Sequence, residues 1–189
     1  GFMLQNELME RKASDPNTED QLLLLEHEPV YTIGRSVPVD CEELRDLPYP
    51  VLQINRGGKV TYHGPGQLVG YAILDLRTRE QDLHRHLRLL ESGLIELSQR
   101  FGVDAVTRDG LTGVWCGERK LASIGVGVRR WITMHGFAIN VCGALDGFNH
   151  ITPCGLRGVE ITSLQKEGCR HMDVTAVSDV ASEIFARIL

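Results

Sequence analysis

Apolar and polar residues recur along the chain with a spacing that predicts one long amphipathic helix near its middle. Between residues 83 and 101, leucines and a final phenylalanine recur every three or four positions, which places them on one helical face. Thr78 and Gln81 have the spacing of a capping box at the start of this helix. Gly102 suits the left-handed residue that follows a helix end. We expect this helix to cover a sheet.

The two ends of the chain are also predicted to be helical. Residues 2–12 resemble the tail of a helix and are followed by a polar loop. A C-terminal helix is predicted from about residue 175 to residue 189, with Asp173 as its N-cap.

Shorter apolar runs between the helices predict strands. Residues 21–26 form a run bounded by turn signals, which predicts a strand that is buried on both faces. Residues 26–35 contain a proline and a glycine and are predicted to leave the sheet. Further strands are expected at 51–55 and 68–76, and strands predominate over 113–141. The order of elements predicts an α+β, or mixed α/β, domain that occupies residues 1–189.

Two polar residues interrupt apolar positions within the stretch 113–141. With a strand period of two, Lys120 shares a face with Ala122, and His135 shares a face with Phe137. Both side chains are therefore predicted to point to the interior or to a cavity, although a β-bulge would reverse this assignment.

The amino-acid composition argues against several classes of protein. The chain has 189 residues, of which 42% are hydrophobic and 24% charged, and a formal charge of -5. A net negative charge argues against broad binding to nucleic acid or to anionic membranes, because both need a basic field. The five cysteines are odd in number and include no Cys-x-x-Cys pair, which favours neither a disulfide framework nor a zinc site. We expect a reducing compartment, the cytoplasm or an organelle matrix.

A glycine-rich stretch follows the strand predicted at 51–55. Four glycines and a proline lie between Arg56 and Gln67, interleaved with Tyr62 and His63. Such a loop brings backbone close to a ligand, but it lacks the spacing of a P-loop or a dinucleotide fingerprint. A substrate cleft is the better interpretation here than a purely structural loop.

One cysteine has the setting of a nucleophile. Cys154 lies between Pro153 and Gly155, which stiffen the loop and leave room beside the thiol. A thiol of ordinary pKa is only a few per cent thiolate at neutral pH, so a basic or cationic neighbour is needed. Lys120 and the histidines are the candidates for that neighbour.

These segments together resemble the lipoyl(octanoyl) transferase family. The similarity is carried, in order, by 56–71, 117–125, 135–141 and 153–155. It implies the mixed sheet flanked by helices of biotin and lipoate protein ligase catalytic domains. The resemblance also implies that the chain begins inside the family's first helix, and the start at Gly1 without an initiator methionine indicates missing or tag-derived residues.

The resemblance also implies roles for individual residues. Cys154 would be the acyl-thioester nucleophile and Lys120 its partner, whereas His63 and His135 have supporting roles. The residues implied to contact the acyl substrate come from three segments: Arg56, Gly57, Gly58, Lys59, Val60, Thr61, Tyr62, His63, Ser123, Ile124, Gly125, Gly136, Phe137 and Ala138.

The implied reaction moves an octanoyl group from octanoyl acyl carrier protein to a lysine of a lipoyl domain. The acceptors would be the lipoyl domains of 2-oxoacid dehydrogenases and the glycine cleavage H protein. No cofactor or metal is expected, because phosphopantetheine arrives on the carrier. The turn at Arg129 and Arg130 is a candidate dock for that acidic carrier. Two alternatives remain, an ATP-dependent lipoate or biotin ligase and a non-catalytic module that binds carrier or lipoyl domains.

Overall fold

Two β-sheets and three α-helices make up the described part of the chain. The computed structural model describes residues 1–15, 17–38, 40–155, 158–169 and 172–189, without the side chain of Cys154. The helices are α1 (Phe2–Ser14), α2 (Leu83–Arg100) and α3 (Val174–Ile188). The strands are β1 (Gln21–Leu25), β2 (Val30–Ile33), β3 (Val51–Gln53), β4 (Thr61–His63), β5 (Gln67–Ile73), β6 (Val106–Arg108), β7 (Leu111–Cys116), β8 (Arg119–Arg129) and β9 (Ile132–Asn140).

The larger sheet has the order β1-β5-β9-β8-β7-β6 and is antiparallel throughout. In the smaller sheet, β2 pairs with β3 in parallel and with β4 in antiparallel orientation. This combination of sheets and helices confirms the predicted α+β class.

Helices α2 and α3 cover one face of the larger sheet. Leu90, Leu94 and Leu97 of α2 are fully buried there, as the spacing of leucines predicts. Phe137 of β9 stacks on Phe185 of α3, with ring centroids 4.6 Å apart. The opposite face is covered in part by α1, which packs against β5 and β9, and the smaller sheet faces another part of it across a cavity. Within the described ranges, no helix is both long and apolar enough to cross a bilayer.

The predicted helix ends are correct at two of three positions. The Asp173 side chain accepts a hydrogen bond from the Thr175 amide at 3.0 Å, and Gly102 has the left-handed φ of 73°. The capping box at Thr78 is wrong, because α2 begins later and Asp82 caps it by accepting from the Arg85 amide.

The predictions for residues 21–35 need correction. β1 lies at the edge of the larger sheet, and its five residues are only partly buried, so the prediction of a strand buried on both faces is wrong. Residues 26–35 do leave this sheet, but they contain β2, the central strand of the smaller one. Tyr31 and Ile33 of β2 are buried there.

Lys120 does not share a face with Ala122. The register of β7 with β8 shifts between Val114 and Trp115, so Val114 pairs with Ala122 whereas Trp115 pairs with Lys120. This bulge inserts one extra residue into β8 and turns the lysine to the face opposite α2 and α3.

His135 also leaves the face that its position predicts. Phe137 and Ile139 pack towards α2 and α3, whereas the ring of His135 stacks on Phe2 of α1. His135 has a φ of 61°, which is rare for a residue with a side chain, and this local backbone turn redirects the ring. Both polar side chains therefore lie on the face that also carries the smaller sheet.

Candidate active site

A cavity of about 590 Å³ lies between the smaller sheet, the open face of the larger sheet and the start of α1. This volume is typical of pockets that enclose a small molecule, about 300–1,000 Å³. The three segments that the sequence predicts to contact substrate meet here. Of those residues, the lining contains Arg56, Gly58, Lys59, Val60, Thr61, His63, Ser123, Ile124, Gly125, Gly136, Phe137 and Ala138.

The two remaining predicted contact residues lie beside the lining. The amide of Gly57 donates to the carbonyl of Val126 at 3.0 Å and so ties the glycine-rich loop to β8. Tyr62 is buried in an aromatic cluster, where its ring meets the edge of Phe148 with centroids 5.5 Å apart.

Arg56 anchors the glycine-rich loop from inside the cavity. Its Nη2 atom donates to both the carbonyl and the hydroxyl oxygen of Thr32, at 2.8 and 2.9 Å. Its Nη1 atom donates to the carbonyl of Gly57 at 2.9 Å. The guanidinium is buried, so it supplies a positive charge within an otherwise mainly apolar pocket. This charge also disfavours protonation of the nearby histidines.

A chain of side-chain amides fixes the tautomer of His63. Gln67 donates from Nε2 to Asn140 Oδ1 at 2.8 Å, and Asn140 donates from Nδ2 to the carbonyl of Thr162 at 2.9 Å. Oε1 of Gln67 is therefore the acceptor for His63 Nδ1, 2.6 Å away. Burial lowers the pKa of His63 to about 4, so the ring is neutral at neutral pH and Nε2 carries a lone pair.

His135 lies at the end of the cavity beside α1. Its Nε2 atom is 2.8 Å from Asn55 Oδ1, and its backbone amide donates to Gln5 Oε1 at 2.7 Å. Burial, with a smaller effect of the Arg56 charge, lowers the pKa of His135 to about 4. His135 pairs with Val126, six residues along β8 from Lys120, a distance of about 20 Å. It therefore lines the cleft and is too distant to orient Lys120 directly.

Lys120 is buried at the start of β8, beyond the cavity lining. Its Nζ atom donates to the carbonyl of Thr112 at 3.2 Å and lies 5.2 Å from the centroid of the Trp115 ring. Both contacts suit an ammonium group.

The segment that contains Cys154 lies next to the cavity at Gly155 and next to Lys120 at Glu160. Cys154 belongs to a short 3₁₀ turn, Pro153–Gly155, but its side chain lies outside the described residues, and its pairing with Lys120 stays a prediction. A side-chain carbon added at Gly155 would lie 2.4 Å from Cδ of Lys59, which lines the cavity. Further along, the amide of Lys120 donates to the carbonyl of Glu160 at 2.8 Å.

Sequence patterns did not reveal every residue at the cavity. His27 and Tyr71 both line it, with His27 Nε2 2.5 Å from the Tyr71 hydroxyl. Phe2 and Gln5 of α1 also line it. The polar Glu-His-Glu-Pro sequence that follows the apolar strand could have indicated His27, because strand ends often carry functional side chains, but His27 was not among the predicted site residues.

Comparison with known proteins places these features in context. A model of the lipoyl protein ligase A/B catalytic domain family matches residues 1–186. An octanoyltransferase of Geobacter sulfurreducens is 50% identical over 182 residues, which cover 95% of this chain and 77% of the relative. An octanoyltransferase of Gloeobacter violaceus is 46% identical over 184 residues, which cover 97% of this chain and 82% of the relative.

The fold is also found among solved structures. Lipoate-protein ligase A bound with ATP superposes with a TM-score of 0.77 at 15% identity, covering 97% of this chain and 78% of that one. At such low identity the likeness concerns the fold alone. It confirms the predicted resemblance to the lipoate protein ligase catalytic domain.

Proposed function

This chain belongs to the octanoyltransferase family, and from that premise we propose that it transfers an octanoyl group to a lysine of a lipoyl domain through a thioester on Cys154. The family membership supports an acyltransferase that acts in protein lipoylation.

One contact carries the proposal. The turn that holds Cys154 packs through Gly155 directly against Lys59, and Lys59 lines the cavity. The lining is mainly apolar along Val60, Ile124 and Ala138, which suits an alkyl chain. An acyl group attached to Cys154 would then enter the cavity from its Lys59 side.

The reaction consists of two acyl transfers that need no ATP. The Cys154 thiolate attacks the thioester carbonyl of the donor, a new carbon–sulfur bond forms, and the phosphopantetheine sulfur leaves and takes up a proton. The neutral amine of the acceptor lysine then attacks the enzyme thioester. A carbon–nitrogen bond forms, the Cys154 sulfur leaves as thiolate, and the amine loses a proton.

Lys120 would act on the nucleophile as a cation. A neutral lysine that accepts the thiol proton and an ammonium that stabilises the thiolate are both compatible with the sequence. The carbonyl of Thr112 accepts a hydrogen bond from Nζ, and the face of an aromatic ring favours a positive charge. These contacts support the ammonium, which would lower the pKa of the Cys154 thiol.

The donor in this proposal is octanoyl acyl carrier protein, and the acceptors are the lipoyl domains of 2-oxoacid dehydrogenases and the glycine cleavage H protein. The turn predicted as a carrier dock is poorly placed for this purpose. Arg129 lies nine residues along β8 from Lys120, about 30 Å away. It also forms an ion pair with Glu10 at 2.8 Å, which partly neutralises the turn.

A transfer assay tests the function. The protein, octanoyl carrier protein and an isolated lipoyl domain are mixed without ATP, and the lipoyl domain is analysed by intact mass. We expect a gain of about 126 Da from one octanoyl group, which is absent when the target lysine is replaced by arginine. Transfer only from free octanoate or lipoate with ATP would instead identify an ATP-dependent ligase. Tight binding of either protein without any transfer would identify a non-catalytic module.

A further inference from the structure

We infer that Glu91 is a positioning residue for Lys120, and that it acts through the peptide group between Thr112 and Gly113. The inference rests on the proposed role of Lys120 beside Cys154. Glu91 lies on α2, on the opposite side of the larger sheet from Lys120, and its side chain is only 1% exposed. The sheet therefore separates the two side chains, and the peptide group between Thr112 and Gly113 connects them through hydrogen bonds.

Both ends of this peptide group are occupied. The amide nitrogen of Gly113 donates to Glu91 Oε1 at 3.1 Å, and the carbonyl oxygen of Thr112 accepts from Lys120 Nζ at 3.2 Å. In a trans peptide the N–H and C=O bonds point in opposite directions. The carboxylate and the ammonium therefore approach opposite ends of one polar group.

The local backbone makes this arrangement possible. Gly113 has a φ of 123°, and it lies beside the register shift between β7 and β8. A side-chain carbon at Gly113 would lie 2.5 Å from the carbonyl of Ala122 and 2.9 Å from Cε of Lys120. Only glycine fits here, and its conformation turns the peptide group away from the usual hydrogen-bond ladder.

The charge of Glu91 strengthens the acceptor that holds Lys120. A carboxylate that accepts from a peptide N–H polarises the peptide, which makes the carbonyl oxygen more negative. The second carboxylate oxygen pairs with Arg88, which keeps Glu91 oriented. The Thr112 carbonyl and the Trp115 ring then hold the lysine as a cation at a fixed place.

The pH dependence of Cys154 alkylation by iodoacetamide tests this role. Peptide mass spectrometry follows Cys154 in the wild-type chain, Glu91→Gln, Lys120→Met and the double variant. Glu96→Gln is the control, because Glu96 is a partly exposed residue of the same helix that pairs with Arg187 of α3. Glu91→Gln keeps an acceptor for Gly113 and removes the charge. We expect its alkylation midpoint to rise by about 0.5 to 1 pH unit and acyl-enzyme formation at pH 7 to slow about three- to tenfold, with the KM for octanoyl carrier protein unchanged.

The direction in which the alkylation midpoint moves distinguishes a positioning role of Glu91 from a direct effect of its charge on Cys154. Loss of a nearby negative charge would by itself lower the midpoint, whereas loss of a well-held ammonium raises it. In the Lys120→Met background, Glu91→Gln is expected to cause no further rise. A midpoint that is unchanged or lowered in Glu91→Gln alone, while Lys120→Met raises it, overturns the role of Glu91 and leaves the dyad intact.

Two further outcomes are distinguishable. If Lys120→Met leaves the midpoint unchanged, the dyad itself fails and the role of Glu91 fails with it. If Glu91→Gln does not fold by circular dichroism, Glu91→Asp replaces it, because the shorter side chain keeps the charge but moves away from Gly113. A rise in the midpoint of Glu91→Asp supports the inference, and an unchanged midpoint contradicts it.

Discussion

His63 donates from Nδ1 to Oε1 of Gln67, and the other bonds of Gln67 allow no other direction for this proton. Gln67 thus determines which nitrogen of His63 faces the cavity with a lone pair. Since Gln67 is itself buried, its loss would leave polar groups of His63 and Asn140 unsatisfied.

Replacement of Gln67 therefore has a defined consequence. Gln67→Met is expected to lower the free energy of unfolding by about 1–3 kcal/mol, measured by urea denaturation. It should also slow octanoyl transfer several-fold, because His63 loses its fixed orientation. Gln99→Met, at an exposed position of α2, is the matched control and should change neither property. Equal stability of the two variants would contradict the network.

Two glycines next to lining residues of the cavity allow an effect on folding to be separated from an effect on substrate contact. A carbon added at Gly70 would lie 2.3 Å from the ring of Phe137, which is stacked against Phe185 and has little room to move. A carbon added at Gly57 meets its nearest neighbour, the carbonyl of Val126, at an ordinary 3.6 Å. We expect Gly70→Ala to cost about 1–3 kcal/mol of stability and Gly57→Ala to cost less than about 0.5 kcal/mol.

Gly57→Ala is the variant in which we expect a loss of activity without a loss of stability. If Gly57 contacts the acyl substrate, as the family resemblance implies, Gly57→Ala should slow transfer about tenfold while its melting temperature stays close to that of the wild type. Wild-type transfer rates in Gly57→Ala would remove this residue from the substrate contacts.

His86 gives a prediction for the pH dependence of stability. It is 2% exposed on α2, its Nε2 atom has no hydrogen-bond partner among the described residues, and burial lowers its pKa to about 4. Below about pH 6.5 the unfolded chain binds a proton here that the folded chain binds only near pH 4. His86 therefore does not reduce the stability of the wild-type protein above about pH 6.5. As the pH falls from about 6.5 to about 4, the free energy of unfolding decreases by at most about 1.4 kcal/mol per pH unit.

Replacement of His86 should remove this loss. We expect His86→Leu to be about 1 kcal/mol more stable than wild type at pH 7.5, and the difference to increase at pH 5. His84→Leu, at an exposed position of the same helix, is the control and should follow the wild-type curve. Urea denaturation at both pH values provides the comparison, and a constant difference would contradict the role of His86.

The turn at Arg129 and Arg130 gives a prediction of no effect. Reversal of both charges to glutamate breaks the contacts with Glu10, but it acts about 30 Å from Lys120. We expect kcat/KM for octanoyl carrier protein to change less than twofold at low salt. A loss of tenfold or more that high salt abolishes would restore the turn as the carrier dock.

The sequence predicted the parts of the fold that depend on regular periodicity. Leu90, Leu94 and Leu97 identified the buried face of α2, and Asp173 identified the start of α3. Lys120 and His135 are buried, and His135 lines the cavity, as predicted. Both nevertheless lie on the opposite face of the sheet from the one predicted, because a bulge and a left-handed residue interrupt the strand period. Such local backbone changes leave little trace in the hydrophobic pattern.

The candidate site was predictable from its motifs but not from its supporting residues. The segments beginning at Arg56, Ser123 and Gly136 meet at one cavity, as the family resemblance implies. Glu91 appeared only as a polar residue in an amphipathic helix, and its contact with Gly113 depends on the conformation of that glycine. Long-range contacts of this kind require the three-dimensional structure.

The acyl-enzyme on Cys154 is tested most directly by the intact mass of the protein after brief incubation with octanoyl carrier protein alone. We expect an adduct of about 126 Da in the wild-type chain, lost in Cys154→Ala and released when a lipoyl domain is added. Cys142→Ala, at a cysteine outside the cavity lining, should retain the adduct. An unchanged mass in the wild-type chain under conditions where the lipoyl domain becomes octanoylated, or an adduct that persists in Cys154→Ala, would contradict the acyl-enzyme on Cys154.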